Sequence, residues 1–259
     1  MPRIHNQQWE LYYEGIISLD DPRLFDLNEL QERMLTCFKT GERYINKEVI
    51  QSALSDWDFP LIFLDFETIA PAIPRYNGCR PFDQIPFQFS AHILNASYTD
   101  VIHKEFLHES DDDPRPTLIP MLLEACGETG SIVAYHATFE KKRIQALADY
   151  SPEHRDALMK LIDRFVDPLP LIRDTVYDNA FAGSFSLKSV APALLGESHS
   201  YDGLLVANGS DAQRAFEELI SPNTLADRKT ILKNAMIEYC KKDTFVMVEL
   251  VRWLMELHY

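Results

Sequence analysis

The run PLIFLDFETI, residues 60–69, constrains the fold more than any other stretch of this sequence. Its continuous apolar half is typical of a strand that is buried in a sheet, where charged side chains are rare. Asp65 and Glu67 nevertheless stand there, two residues apart. Because side chains alternate faces along a strand, the two carboxylates share one face. Either the strand ends there and its acids lie in water, or the pair holds a metal ion.

Two more strands are predicted directly after this run. IPFQFSAHIL alternates Phe87, Phe89, Ala91 and Ile93 on one face, and DVIHKEFL follows the turn-like NASYTD. The three strands are expected to form an antiparallel meander. LIPMLLEACGE predicts a helix, and SIVAYHA predicts a strand that leads into a helix at Thr138. Strands first, followed by alternating helix and strand, indicate an α/β domain with a mixed sheet.

Helical patterns occupy both ends of the chain. In residues 1–59, DLNELQERMLTCF and NKEVIQSALSDW have apolar residues at helical spacing, and Asn46 is an N-cap candidate. Two short helices cannot enclose a core, so residues 1–59 are predicted to be a helical extension of a main domain at 60–259. The extension either packs on that domain or contacts an upstream domain or partner protein. Further helices are predicted at SPEHRDALMKLIDRF, at SLKSVAPALL, after the capping-box pattern SDAQ (210–213) and near 228–257.

The composition limits the class of protein and the cellular compartment that are expected. A net charge of −15 argues against a protein that coats nucleic acid non-specifically, but it is compatible with a small multi-carboxylate site that has basic residues nearby. No apolar run is long enough to span a bilayer, and the N-terminus lacks the apolar core of a signal peptide. The four cysteines have no paired spacing, which favours free thiols in a reducing cytosol. We therefore expect a cytoplasmic protein without membrane contact, and the absence of HxH and HExxH spacing argues against a zinc enzyme.

A third acid stands at the predicted junction between a strand and a helix. In AYHATFEKKRI, Glu140 falls in the first helical turn, where the helix dipole favours an ionised carboxylate. Such junctions are also where α/β sheets place their sites. Glu140 therefore either complements the helix dipole or belongs to a site. The basic residues 141–143 (KKR) supply local positive charge, or form a solvated helix face.

A fourth acid lies in IEYCKKDTFVMVEL. Tyr239 and Asp243 are four residues apart, so they lie on the same face of a predicted helix whose neighbouring residues are largely apolar. A buried aspartate needs a partner, and a metal ion shared with the strand acids would be one. A surface position beside Lys241 and Lys242 is the alternative.

Taken in order, these motifs resemble those of the DEDD superfamily of 3′–5′ exonucleases, in its tyrosine-bearing (DEDDy) branch. GSFSLKSVAPALLG resembles the SLK-type helix of the ribonuclease D-like members. LDFETIAPAIPRYNGCRPFDQIPFQFSAHI, FSLKSVAPAL and YCKKDT are similar to a bacterial family of uncharacterised proteins, in which this domain forms the C-terminal half of a longer chain. The resemblance covers about residues 60–257. It implies a ribonuclease H-like α/β fold with a mixed five-stranded sheet whose first three strands are antiparallel.

The resemblance also implies a function. The chain would be a 3′–5′ exonuclease that hydrolyses phosphodiester bonds at 3′ ends of DNA or RNA, with single-stranded ends as its partner. Two divalent ions, Mg²⁺ or Mn²⁺, would be held by the four acids Asp65, Glu67, Glu140 and Asp243, and would stabilise the attacking and leaving oxygens. Tyr239 would orient the attacking water, because a tyrosine is a weak base at neutral pH. The alternative is a catalytically weak module that binds nucleic acid or docks a partner, although all four acids and the tyrosine are present.

This sequence departs from the superfamily pattern at three places. Glu140 stands where most members have aspartate, and His136 stands where many have asparagine. YNGCRPFDQIPF makes the segment 71–86 longer than usual, so that it could form a loop over the site.

The remaining candidates for substrate contact each have a structural alternative. Phe66 would stack on the terminal base or belong to the core. Gln88 and His92 on the second strand would touch substrate or have buried partners. Asp167 resembles a family position near the site, or caps a turn. Ser186 and Lys188 would bind a phosphate at a helix start, or only cap that helix.

Overall fold

The computed structural model describes residues 7–24, 27–96 and 100–257. Its strands are β1 (Tyr44–Ile45), β2 (Leu61–Ile69), β3 (Ile85–Leu94), β4 (Val101–Leu107), β5 (Ile132–Val133), β6 (Phe165–Val166) and β7 (Val176–Tyr177). Its α-helices are α1 (Gln7–Tyr13), α2 (Glu29–Thr40), α3 (Lys47–Leu54), α4 (Arg115–Cys126), α5 (Thr138–Tyr150), α6 (Arg155–Asp163), α7 (Pro168–Thr175), α8 (Leu187–Leu195), α9 (Gly209–Ile220) and α10 (Ala226–Glu256).

A five-stranded mixed sheet has the strand order β4–β3–β2–β5–β6. The pairs β2–β3 and β3–β4 are antiparallel, whereas β2–β5 and β5–β6 are parallel. The predicted α/β class, the mixed sheet and the antiparallel arrangement of its first three strands are therefore confirmed. The turn predicted between β3 and β4 includes residues 97–99, which lie outside the described residues. A separate antiparallel pair, β1–β7, has no counterpart among the sequence predictions.

The chain divides into two compact units. The sheet unit comprises Asp56–Pro168 and Tyr201–Val251, and the helical unit comprises Met1–Ser55, Leu169–Ser200 and Arg252–Tyr259. The boundary predicted after residue 59 lies close to the start of the sheet unit, and later segments of the chain group with the N-terminal helices. Within the helical unit, α3 begins after Asn46, whose side chain accepts a hydrogen bond from the N–H of Val49, as predicted.

The core of the sheet unit includes two apolar clusters of described residues. One joins β2 and β3 to α4, α5 and α6, and it contains Leu64, Phe66, Phe89 and Ala91. The other joins the ends of β2 and β3 to α9 and α10, and it contains Ile69, Ile85, Phe87, Phe216, Met236 and Tyr239.

A β-bulge beside the acid pair corrects one prediction. The register between β2 and β3 shifts between Glu67, opposite Gln88, and Thr68, opposite Pro86, so Phe87 is the extra residue. Phe87 consequently leaves the face of Phe89 and stacks on a phenylalanine of α9 with ring centroids 4.0 Å apart. The predicted sharing of one face by Phe87 and Phe89 is wrong, because the bulge breaks the period of two.

The start of α9 corrects a second prediction. The helix begins at Gly209, and the N-cap is Asn208, whose side chain accepts a hydrogen bond from the N–H of Asp211 at 3.0 Å. The capping box predicted at Ser210 is therefore wrong, and the N-cap lies two residues earlier. The Asn208 amide also donates to the Asp211 carboxylate at 2.7 Å, an interaction that the Ser210 hydroxyl does not make.

The loop before β5 is held tightly against the start of β2. Gly130 has φ +84°, and a Cβ there would lie 2.0 Å from the carbonyl oxygen of Pro60. The guanidinium of Arg164 donates to the carbonyl oxygens of Gly127 and Gly130 at 2.6 and 2.7 Å. The loop thereby places β5 beside β2, so that the chain enters α5 at the end of the sheet that carries the acids.

All four cysteines are free thiols, and Cys37, Cys126 and Cys240 are buried. Within the described residues, no helix combines the length and the apolar character required to cross a bilayer.

Candidate metal centre

Three carboxylates converge on one face of the sheet. Asp65 and Glu67 come from β2, and Asp243 comes from α10. Each offers an oxygen, and these atoms all lie within 4.8 Å of one another. Glu67 and Asp243 are buried, and Asp65 is partly exposed. The alternation along β2 therefore gives the two strand acids a common face, as predicted, and α10 brings the third acid to it.

Side-chain hydrogen bonds attach α10 to this face of the sheet. Gln88 on β3 donates from Nε2 to the carbonyl oxygen of Met236 at 2.9 Å. The hydroxyl of Thr244, next to Asp243, lies 2.7 Å from the hydroxyl of Ser90 and 2.7 Å from Nδ1 of His92. The structure thus gives Gln88 and His92 buried partners, which is the structural alternative considered for both.

Glu140 is the fourth predicted acid, and it lies near the set of three but outside it. It is in the first turn of α5 and is 4% exposed, and its Oε2 has no hydrogen-bond partner among the described residues. Burial, with a further contribution from the charge of Asp167, raises the pKa of Glu140 to about 8. Its charge in turn contributes to the raised pKa of Asp65.

The electrostatics of the cluster favour a cation. Burial raises the pKa of Asp65 well above its usual range, and the charges of Asp243, Glu67 and Glu140 add to that effect. Carboxylates packed together without a cation repel one another. The donor set consists of oxygen atoms, which hard divalent ions such as Mg²⁺ and Mn²⁺ prefer. The Oε2 atom of Glu140 is buried and has no hydrogen-bond partner among the described residues, so it is a further oxygen that a cation would stabilise. The residues present therefore fit a hard divalent ion.

Two tyrosines lie beside Asp243. Tyr239 is one helical turn before it on α10, and Tyr201 comes from the segment that precedes α9. Burial and the nearby Asp243 carboxylate raise the pKa of both hydroxyls above the ordinary value. The two rings meet edge to face with centroids 6.2 Å apart. The sequence reasoning identified Tyr239 and missed Tyr201, since SHSYDGLL carries no periodic pattern that relates Tyr201 to α10.

Cys240 is a second neighbour of the centre that the sequence reasoning missed. Its thiol is fully buried and lies 3.8 Å from Oδ2 of Asp65. It directly follows Tyr239, and its place in an apolar helix stretch predicted burial, although nothing in the sequence predicted a contact with Asp65.

Asp167 fixes the turn that leads into α5. Its two carboxylate oxygens accept hydrogen bonds from the backbone N–H groups of His136 and Ala137, each at 3.0 Å. His136 has φ +69°, a left-handed conformation in which histidine and asparagine are enriched, and its side chain is exposed. Asp167 therefore caps the turn, and it also lies close enough to Glu140 to affect the pKa of that carboxyl.

The structure places the other candidates as follows. Phe66 is 3% exposed and meets Phe89 edge to face, so it belongs to the core. Ser186 is the N-cap residue of α8, where its hydroxyl lies 3.0 Å from that of Ser189 and makes no capping hydrogen bond to the backbone. Lys188 is exposed in the first turn of the same helix. Ser186 and Lys188 belong to the helical unit.

A cleft of about 420 Å³ lies beside the carboxylate centre, and Glu67 is the acid of the centre that lines it. It is lined by the end of β2, the start of α5 and the first turn of α9, including Phe66, Glu67, Thr68, Ala70, Gln84, Phe139, Asn208, Gly209, Ser210 and Gln213. A Cβ at Gly209 would lie 3.7 Å from Oε2 of Glu67, so the backbone of α9 passes close to this carboxylate. We name this space the centre cleft.

Comparison with known proteins gives one family match. No curated protein and no solved structure matches the chain. Residues 62–186, slightly less than half of the chain, match the model of a family described as "Domain of unknown function (DUF2779)". This segment contains Asp65, Glu67 and Glu140, and it ends before Tyr239 and Asp243.

Proposed function

We propose that the chain is a metal-dependent 3′–5′ exonuclease of the DEDD type, acting on 3′ ends of DNA or RNA. The observation that carries the proposal is the convergence of Asp65, Glu67 and Asp243 within 4.8 Å beside an open cleft. These acids come from a strand and from a helix far along the chain, so adjacency in sequence does not explain their meeting. Glu140 nearby completes the acid set that the resemblance implies.

The fold supports the same proposal. The sheet has five strands, of which the first three are antiparallel, and the acids lie on its first strand and on a late helix. That arrangement agrees with the ribonuclease H-like fold that the resemblance implies. Asp167, which fixes the turn before Glu140, supports the resemblance to a family position near the site.

Divalent ions held by Asp65, Glu67, Asp243 and Glu140 would supply Lewis-acid stabilisation of the negative charge that develops on the phosphate oxygens. The chain's own residues would perform the remaining tasks. The partly dehydrated setting strengthens every electrostatic interaction between these carboxylates and their ligands. Tyr239 is protonated at neutral pH because its pKa lies above 10. Its hydroxyl can therefore orient a water molecule by hydrogen bonding, and it is unsuited to abstract a proton from that water.

The experiment that tests this proposal determines the end from which a nucleic-acid strand is shortened. Single-stranded DNA and RNA oligomers labelled at the 5′ or the 3′ end are incubated with the purified chain and Mg²⁺ or Mn²⁺. A 3′–5′ exonuclease shortens the 5′-labelled strand in steps and releases a labelled mononucleotide from the 3′-labelled strand, and EDTA abolishes both reactions. Internal cuts would identify an endonuclease instead. Binding of the strand without metal-dependent cleavage would overturn the proposal in favour of the binding module.

A further inference from the structure

We propose that Arg143 binds a backbone phosphate of the nucleic-acid substrate in a second cleft, next to the centre cleft. This inference rests on the proposed function and adds a contact that holds the strand. The second cleft, which we name the Arg143 cleft, has a volume of about 540 Å³. One wall is the segment 71–86 before β3, and the other is the middle of α5. The charged and polar lining includes Arg80, Asp83, Gln84, Arg115, Arg143 and Asp149.

Two of the three guanidinium nitrogens of Arg143, Nε and Nη1, are buried without an acceptor among the described residues. The guanidinium carbon lies 4.7 Å from the ring centroid of Phe139, which covers one face without accepting an in-plane hydrogen bond. Leaving charged donors buried and unsatisfied is unfavourable. A phosphate is the ligand whose oxygens best match the planar donors of arginine.

Two other buried or ion-paired positions of the Arg143 cleft, Arg115 and Asp149, already have partners, and Arg80 is exposed to water. Arg115 pairs with Asp113 at 2.7 Å, and Asp149 pairs with Arg155 at 2.9 Å. Glu140 and Asp83 attract Arg143 electrostatically, but neither carboxylate is hydrogen-bonded to it. Asp83 instead accepts a hydrogen bond from the backbone N–H of Arg80 at 2.7 Å. Among the described residues that line this cleft, Arg143 is therefore the partly buried cation whose Nε and Nη1 atoms still lack an acceptor.

The position of Arg143 relates it to the carboxylate centre. It lies three residues after Glu140 on α5, on the same side of the helix. Gln84 lines both the centre cleft and the Arg143 cleft. Phe139 lines the centre cleft and packs on Arg143. A strand whose terminal phosphodiester lies at the carboxylates can therefore place a neighbouring phosphate at Arg143. The insertion forms one wall of this path, which gives the long segment 71–86 a role.

The test compares Arg143→Gln with Lys142→Gln, which removes the same charge from an exposed position one residue away. Affinity for a fluorescein-labelled single-stranded DNA oligomer is measured by anisotropy in EDTA, so that binding is read without turnover. We expect Arg143→Gln to bind about tenfold more weakly than wild type, as for the loss of one charged hydrogen-bonded contact. The logarithm of the binding constant falls linearly with the logarithm of the salt concentration. Between about 50 and 200 mM salt, this slope should be shallower for Arg143→Gln by about 0.7, the value for one phosphate contact of a single strand. Lys142→Gln should match wild type.

Equal affinity and equal salt slope for the two variants would overturn the inference. If wild type cleaves 3′ ends in Mn²⁺ and the variants bind alike, the exonuclease proposal stands and the Arg143 site falls. If Arg143→Gln alone loses affinity and wild type does not cleave, the site stands and the exonuclease falls. Should Arg143→Gln fail to fold, Arg143→Lys is compared with Lys142→Arg. Weaker binding by Arg143→Lys supports the site, because lysine lacks the planar donors, and equal binding overturns it.

Discussion

Asp243 interacts with two carboxylates and two tyrosine hydroxyls of the centre. It shares the carboxylate cluster with Asp65 and Glu67. Burial raises the pKa of the hydroxyls of Tyr201 and Tyr239, and the charge of Asp243 raises both further. Hydroxyl groups beside a ligand carboxylate orient it, and the loss of such a neighbour typically costs 10- to 100-fold in metal affinity. We therefore propose that Tyr201 positions Asp243 at the centre.

We predict that Tyr201→Phe weakens Mn²⁺ binding by about tenfold, measured by isothermal titration calorimetry. Tyr76→Phe is the matched control, because Tyr76 packs against the same apolar cluster, and the carboxylates of the centre do not contribute to the raised pKa of its hydroxyl. It should bind Mn²⁺ as wild type does. Equal affinity in both variants would show that Tyr201 does not position Asp243.

His92 on β3 and His103 on β4 form a pair of histidines beside Thr244 of α10. Their rings stack with centroids 4.4 Å apart, and both connect through hydroxyls to Thr244. Burial lowers the pKa of His92 from 6.5 to about 3 and that of His103 to about 4; His92 is further affected by His103 and Lys241. The folded state therefore keeps both rings neutral, whereas the unfolded chain takes up their protons below pH 6.5.

The stability that these histidines contribute is present above pH 6.5 and is lost as the pH falls from 6.5 towards 3. We predict that His92→Gln loses less free energy of unfolding than wild type between pH 7 and pH 5, measured by urea unfolding at each pH. The acids of the centre are common to both proteins, so their titration cancels in the comparison. Identical losses would contradict a neutral, buried His92.

At the scale of elements, the loop before β5 determines where α5 and Glu140 begin. Gly127 and Gly130 both have positive φ, but only Gly130 faces a backbone oxygen, at 2.0 Å from a Cβ. We predict that Gly127→Ala costs about 1 kcal/mol in the free energy of unfolding, from backbone conformation alone. Gly130→Ala should cost about 3 kcal/mol or more, because the backbone of Pro60 must also move. Urea unfolding measures both, and equal costs would contradict the close approach of this loop to β2.

The elements that the sequence predicted well are those whose pattern is local. The strands β2 to β4 and the helix α10 carry long apolar periods, and their side chains alone indicate strand or helix. The bulge at Phe87 escaped prediction because it depends on how β3 pairs with β2. The pair β1–β7 escaped because each strand has two residues and the partners are distant in the chain. Asn208 and Ser210 are both acceptable N-caps by residue type, so only tertiary packing decides between them.

At the scale of the whole molecule, the carboxylate centre is a product of the fold. The acids and their order can be read from the sequence, and the shared face of Asp65 and Glu67 follows from strand alternation. The approach of Asp243 to that face, and the position of Glu140 outside the set of three, could not be predicted, because they depend on how α10 and α5 pack on the sheet. Tyr201 and Cys240 became neighbours of the centre through the same packing.

The chain carries a net charge of −15, yet its proposed substrate is a polyanion. Repulsion of that kind weakens non-specific binding. Productive binding would then depend on divalent ions at the centre and on a local cation such as Arg143. Affinity for nucleic acid should accordingly be confined to the two clefts.

The most direct test of a catalytic role for the carboxylates is the rate at which nucleotides are released from a 3′-labelled oligomer in Mn²⁺. The rate is measured for Asp243→Ala and Glu140→Ala, with Glu238→Ala as the control. Glu238 is an exposed acid of the same helix as Asp243, so its loss changes the charge without touching the centre. We expect Asp243→Ala and Glu140→Ala to be slower than wild type by about a hundredfold or more, while they remain folded by urea unfolding and Glu238→Ala keeps the wild-type rate. Cleavage by folded Asp243→Ala and Glu140→Ala at the rate of Glu238→Ala would contradict the claim that these carboxylates form the catalytic centre.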